Sequence, residues 1–158
     1  MRNMIESDLE AIASLEKNIF SDAWTAKSIE DTYNQPQAFI MMAELEGKLA
    51  GYCIVYFVLD EGEIARIAVD SSFRRQGVGR KLLKQVENTC EEKGITCLML
   101  DVRESNESAR AFYKSLGFEE DGVRKNFYEM PKENAVLMSK VLGKRVSTMI
   151  DRLGSSFH

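Results

Sequence analysis

The chain has 158 residues, 44% hydrophobic and 29% charged, with a formal net charge of −4; this is the size and balance of one soluble globular domain and argues against a nonspecific nucleic-acid binder. No apolar run reaches membrane-span length and the start lacks a signal-peptide pattern, so a cytoplasmic chain without membrane attachment is expected. Cys53, Cys90 and Cys97 lack Cys-x-x-Cys spacing and the only histidine is His158, which sets aside a disulfide framework, a zinc or other metal site, and Ser-His-Asp or Cys-His chemistry.

Ser7-Asp8-Leu9-Glu10 has capping-box form, and Leu9, Ile12, Leu15, Ile19 and Phe20 follow at helical intervals, predicting a helix to about Phe20. Trp24 and Thr25 open a second short helix that must stop before Pro36. Residues 39–46 and 51–59 read as a hairpin turning at Gly47-Lys48, and Asp60-Glu61-Gly62 leads into a third strand over Glu63–Val69. Next comes Arg74-Arg75-Gln76-Gly77-Val78-Gly79-Arg80, a basic turn with two glycines, followed by a helix with Val78, Leu82, Val86 and Cys90 on one stripe and Gly94 as its stop.

A strand running through such a turn into a helix N-terminus makes an anion site. Unpaired backbone N–H groups point one way, the helix dipole adds positive charge, and Arg75 and Arg80 supply forked donors suited to a pyrophosphate. The glycines do not meet the dinucleotide fingerprint, since Leu82 stands at its third glycine position, and no nucleoside-triphosphate loop is present. Beyond the helix, the near-continuous apolar run of residues 95–102 predicts a strand buried on both faces, parallel to the one before the loop by a right-handed crossover. Asn106 caps a helix carrying Ala109, Phe112, Tyr113 and Leu116 on one face and ended by Gly117; two strands, 118–128 and 134–142, close the domain. The three cysteines, each among apolar neighbours, read as buried thiols. Residues 1–142 form one α+β domain with a mixed, mostly antiparallel sheet of six to seven strands around a central strand-helix-strand unit. The tail, 143–158, places Val146, Met149, Ile150 and Leu153 at helical spacing.

Residues 74–79 resemble the Arg/Gln-x-x-Gly-x-Gly/Ala pyrophosphate loop of the GNAT N-acetyltransferase superfamily, and Asn106 to Phe118 resembles its Asn-x-x-Ala-x-x-Phe/Leu-Tyr-x-x-x-Gly-Phe segment. With Leu100-Asp101-Val102-Arg103 and the Phe20–Trp24 stretch, the chain is similar to RimI-type ribosomal-protein alanine N-acetyltransferases over about residues 3–142. The resemblance implies acetyl-CoA as cosubstrate, with no metal. It implies a cofactor site made by Arg74, Arg75, Gln76, Gly77, Val78, Gly79, Arg80 and Asn106, with the backbone of Ile67, Ala68 and Val69 pairing with the pantetheine arm between two splayed strands. The two N-terminal helices would wall the acceptor groove. The implied partner is a basic N-terminal peptide of a ribosomal protein, acetylated by direct attack in a ternary complex, and the enzyme would be a monomer or weak dimer.

Acetyl transfer to an amine needs a neutral nitrogen, a polarised thioester carbonyl and stabilisation of the leaving thiolate. The resemblance gives the last task to Tyr113, which spacing alone would read as a core tyrosine. The general base stays open between two acids. Asp101 stands where RimI-type members carry glutamate, and its shorter side chain favours action through a water. Glu63, in Gly62-Glu63-Ile64, resembles the base of the superfamily's histone acetyltransferases. Deprotonating an α-amine at pH 7 costs about 3 kcal/mol less than deprotonating lysine, which suits a weak carboxylate base. Asp60, Glu61 and Glu63 form an acidic turn that would attract a basic peptide. Lysine side chains or a small amine as acceptor, and a noncatalytic CoA-binding module, remain as alternatives.

Overall fold

The computed structural model describes residues 1–129 and 131–143; the tail's helical spacing lies outside the described residues. The chain folds in the order β1 (Arg2–Asn3), α1 (Leu9–Ile19), α2 (Ala26–Tyr33), β2 (Ala38–Leu45), β3 (Lys48–Val58), β4 (Glu61–Val69), α3 (Val78–Glu92), β5 (Cys97–Arg103), α4 (Glu107–Ser115), β6 (Glu119–Tyr128) and β7 (Glu133–Val141). These strands make one seven-stranded sheet ordered β1-β2-β3-β4-β5-β7-β6, antiparallel except for β4 and β5. This is the expected α+β arrangement with its strand-helix-strand unit at the centre, plus a short β1 too brief to carry a periodic signal.

Helices cover both faces of the sheet. On one side α3, α4 and the turn after α4 set Leu82, Val86, Tyr113 and Phe118 against Cys53, Val55, Leu98, Leu100 and Val102. On the other, α1 and α2 set Ile12, Leu15 and Ile29 against Ile40, Met42, Tyr52, Ile54 and Ala68. Strand β3 serves both cores, its residues alternating between them as the pleat requires.

Four details depart from expectation. The first helix is not capped by Ser7: Glu6–Asp8 form a 3-10 turn, Asp8 reaches back to the Ile5 N–H at 2.9 Å, and Arg2 grips the same carboxylate at 2.7 and 2.9 Å. The hairpin turns at Glu46-Gly47, both with positive φ (53° and 74°), and β3 starts at Lys48; that is the two-residue geometry matching the twist of paired strands. Strand β5 is not buried on both faces, because Leu98, Leu100 and Val102 are buried while Met99, Asp101 and Arg103 are half-buried on the other side. Cys53 and Cys90 are buried as expected, but Cys97 is only half-buried. Burial pushes the Cys90 thiol up to about 12, so it stays protonated and inert.

Two irregularities around β4 create the site. Strand β4 pairs with β3 along its length but with β5 only at Glu61, Gly62 and Glu63; β5 then continues against β7 as far as Arg103. From Ile64 to Val69, the β5-facing edge of β4 is therefore open. Gly51 lets β3 close tightly on the other edge, since a Cβ there would lie 2.5 Å from the Ala68 carbonyl oxygen. In addition, Ile54 faces Arg66 while Val55 faces Ile64, leaving Ala65 as an extra residue. This bulge reverses which side chains face which core. Ile64, Ile67 and Val69 all join the α3 side, whereas Arg66 and Ala68 turn toward α1 and α2.

Candidate active site

The gap between β4 and β5 opens a cleft of about 890 Å³ that runs through the sheet. Its α3 side is walled by Gly77, Val78, Gly79 and Arg80 from the basic turn and by Asn106, Phe112 and Tyr113 from α4. Its other side is walled by Phe20 and Asp22 after α1, by Glu63 and Arg66 of β4, by Asp101 of β5, and by Phe127 and Tyr128 of β6. A long thin ligand and a second reactant can thus meet from opposite faces.

The basic turn is built as an anion cradle. Asp70 accepts from the Ser72 N–H at 2.9 Å and starts a single 3-10 turn, Ser71–Phe73. Arg75 (φ 66°) and Gly77 (φ 74°, ψ 15°) take left-handed conformations before the right-handed start of α3, a left-right alternation that curls N–H groups around a concavity. Among the described residues, the backbone N–H groups of 75–80 have no protein acceptor, the first helical bond being Lys81 N–H to the Gly77 carbonyl at 3.1 Å. Such a run of free donors at a helix N-terminus is where a phosphate binds. Gly79 faces the Phe112 ring, whose nearest atom would lie 3.3 Å from an added Cβ, so a side chain there would crowd α3 against α4.

Of the residues expected to bind the cofactor or to catalyse, all line the cleft except Gln76. Its side-chain amide turns back to the Ser72 carbonyl at 3.5 Å, a contact too long to hold it firmly. Arg74 folds its Nε onto the Val69 carbonyl at 3.3 Å, and Arg80 reaches the Ser115 hydroxyl at 3.3 Å, which ties α3 to α4. Asn106 caps α4 through the Ala109 N–H at 3.1 Å.

Tyr113 stands edge-on between Phe112 and Phe118, with ring centroids 5.4 and 5.6 Å away. It is buried, and its burial pushes the phenol well above its ordinary pKa. Its hydroxyl is thus a proton-bearing donor throughout the working range, and among the described residues no protein acceptor takes that proton. Asp101 and Glu63 lie on the same sheet face at the mouth of the gap: Glu63 pairs with Met99, and Asp101 is two residues further along β5. They differ in setting. Glu63 is exposed, whereas Asp101 holds Oδ1 buried and without a hydrogen-bond partner among the described residues. An unpartnered buried carboxylate oxygen is costly unless a ligand donates to it.

Comparison with known proteins now decides the family. The acetyltransferase (GNAT) family profile matches residues 9–118. This chain belongs to the GNAT family. It is similar to the [ribosomal protein bS18]-alanine N-acetyltransferase of Escherichia coli (strain K12), 35% identical over 135 residues that cover 84% of this chain and 90% of the relative. The enzyme of the same name from Haemophilus ducreyi is 31% identical over 145 residues, covering 90% of this chain and 99% of that one. Among solved structures, the ribosomal-protein-S18-alanine N-acetyltransferase from Escherichia coli superposes with a TM-score of 0.82 at 32% identity, covering 90% of this chain and 95% of that one. The RimI-type resemblance therefore holds, and the chain is an acetyl-CoA-dependent N-acetyltransferase of the GNAT fold.

The side of the cleft that faces α1 contains residues that the sequence did not single out. Glu16 of α1 is fully buried and accepts from the Tyr52 hydroxyl at 2.5 Å, the Trp24 N–H at 2.8 Å and the Arg66 guanidinium at 2.7 to 3.1 Å. Arg66 also donates to the Asp22 carbonyl at 3.0 Å and lies 3.7 Å over the Phe20 ring. Burial opposes its charge, but the bonds to Glu16 and the charges of Glu16 and Asp22 outweigh that and raise its pKa further. Tyr128 sits under the Arg103 guanidinium at 4.4 Å, its hydroxyl shifted up by burial and then by the Asp101 charge. Trp24 packs partly buried against the α1–α2 core and does not line the cleft; Phe20 and Asp22 do.

Proposed function

We propose that this enzyme transfers the acetyl group of acetyl-CoA to the N-terminal α-amine, an alanine, of a small-subunit ribosomal protein in the cytoplasm, by direct attack in a ternary complex. One observation carries this reading: the cleft passes through the sheet, with the anion cradle on the α3 face and the two acids at the mouth on the other. Thioester and amine then approach from opposite sides with no covalent enzyme intermediate. The names of the relatives support the ribosomal acceptor.

In this reading, the free N–H groups of 75–80 bind the pyrophosphate and the open edge of β4 at Ile67, Ala68 and Val69 pairs with the pantetheine arm, as an added strand would. Tyr113 donates a hydrogen bond to the departing thiolate. Its reference pKa already lies about 1.5 units above a thiol's, and burial widens that gap. Hydrogen bonding is thus the role, with full proton transfer only as the C–S bond breaks. Asp101 is the general base; its unpartnered Oδ1 gains a donor when the amine, or a water between them, arrives.

A peptide beginning Ala-Arg is expected to be acetylated, whereas the same peptide blocked at its N-terminus and carrying a free lysine is expected to react at least tenfold more slowly, as measured by thiol release. Equal rates, or reaction of a small amine alone, would remove the N-terminal assignment. For the base, an α-amine is already about a tenth neutral at pH 7, so Asp101→Asn should cost about tenfold at that pH. The rate of this variant should still climb to about pH 8 with deprotonation of the amine itself, while Glu63→Gln keeps the wild-type profile. The opposite pair of profiles would make Glu63 the base.

A further inference from the structure

We infer that Arg66 binds the acceptor, its Nη1 donating to the carbonyl of the acceptor's first residue, and that this contact selects an α-amine over a lysine side chain. The inference rests on the α-amine reading above and specifies how the site recognises it.

The argument begins with the donor inventory of a guanidinium. Nε and Nη2 are committed: Nε to both Glu16 oxygens at 3.1 Å, Nη2 to Glu16 at 2.7 Å and to the Asp22 carbonyl and carboxylate at 3.0 and 3.3 Å. Among the described residues Nη1 has no acceptor, and it is not among the buried orphaned atoms. The side chain is only 14% exposed and lines the cleft. What remains exposed of this arginine therefore includes the one nitrogen still free to donate, and it is presented at the cleft. Glu16 on one edge and the Phe20 ring at 3.7 Å fix the plane of the group, so the donor is held in place before any ligand arrives.

Its position then selects the ligand atom. Arg66 lies on β4 between Glu63 at the acceptor mouth and Ile67 where the open edge faces the cofactor arm. An amine attacking in this gap brings its nearest substituents past Arg66. In a peptide N-terminus the first strong acceptor is the oxygen of the carbonyl group that is bonded to the same Cα as the nitrogen. A lysine Nζ carries only methylenes at that distance, and it would leave Nη1 unpaired once the cleft is filled. A site built to hydrogen-bond one group discriminates strongly against a ligand that lacks it.

The test pairs a change in the enzyme with a one-atom change in the acceptor. The Ala-Arg peptide is compared with its thioamide, in which sulfur, a weak acceptor, replaces the first carbonyl oxygen, on wild type, Arg66→Lys and Arg66→Gln. For wild type the thioamide should raise KM about tenfold or more, the scale of a hydrogen bond from a charged donor, with little change in kcat. Arg66→Lys keeps a cation for Glu16 and should raise KM for the normal peptide by a similar factor while acetyl-CoA affinity holds. The two changes together should cost no more than either alone. Wild type indifferent to the thioamide, or penalties that multiply in both variants, would make Arg66 a purely structural partner of Glu16 and overturn the inference. The wild-type comparison stands even where a variant folds poorly. If wild type leaves the α-amine of the normal peptide unmodified, the functional reading itself fails and takes this inference with it, a result visible before any substitution is made.

Discussion

Tyr113→Phe is expected to leave coenzyme A affinity within about twofold of wild type and to lower kcat by about a hundredfold, the scale for losing one donor aimed at developing charge. The substitution removes a single oxygen. The ring keeps its edge-on contacts with Phe112 and Phe118, and among the described residues the hydroxyl supports no other protein group, so the fold should be untouched. Since burial holds the phenol protonated well above its usual range, the loss should be the same at every pH from 6 to 9. That flatness separates a hydrogen-bond donor from a titrating acid. A wild-type kcat in the variant would return Tyr113 to the core as a packing residue, and a loss that grew with pH would contradict the protonated-donor role.

How much of this site the sequence disclosed depends on the period over which each signal repeats. The anion cradle is legible because local rules create it, with a glycine where φ must be positive. The N-cap at Asn106 and the helical face carrying Phe112 and Tyr113 are legible in the same way, but those rules alone read Tyr113 as a core residue, and its role came from the resemblance. The fold class is legible for the same reason, each helix and strand having its own periodicity and stop signals. The split between β4 and β5 is different, because pairing stops at Glu63 for lack of a neighbour and leaves no mark in either strand. Strand β5 looked buried on both sides because Met99 and Cys97 are apolar, though they sit on the half-exposed face that includes Asp101. The Ala65 bulge hides equally well, since simple alternation would place Ala65, Ile67 and Val69 with Glu63 and separate them from Ile64. The buried ion pair does leave a mark in the sequence. Glu16 falls on the helical stripe of Ile12, Leu15 and Ile19, and Arg66 interrupts an otherwise apolar run in β4. Two opposite charges on two core-facing positions imply a buried pair, since either alone would be prohibitive to bury.

That pair yields the largest expected change in stability. Glu16→Ala should destabilise the fold by about 3–5 kcal/mol, the range for removing one partner of a buried ion pair. The cost comes from what is left behind: a guanidinium with 14% exposure and no counter-ion on its Nε edge, a buried Tyr52 hydroxyl, and a Trp24 N–H that all lose their acceptor together. The pair also joins α1 to β4 and to the segment after α1, so the damage should extend to the cleft wall at Phe20 and Asp22. Glu16→Gln retains the shape and one carbonyl acceptor but not the charge, and should fall between wild type and Glu16→Ala. By contrast, the double variant Glu16→Leu with Arg66→Met removes both charges and fills much of the volume. It should recover most of the loss, because the attraction within a buried pair largely offsets the cost of desolvating it, although the Tyr52 hydroxyl still lacks a partner. Urea unfolding of the four proteins measures each term. If Glu16→Ala costs less than about 1 kcal/mol, water reaches the pair and the network does not anchor α1; if the double variant is as unstable as Glu16→Ala, the loss lies in Tyr52 and Trp24 rather than in the stranded charge.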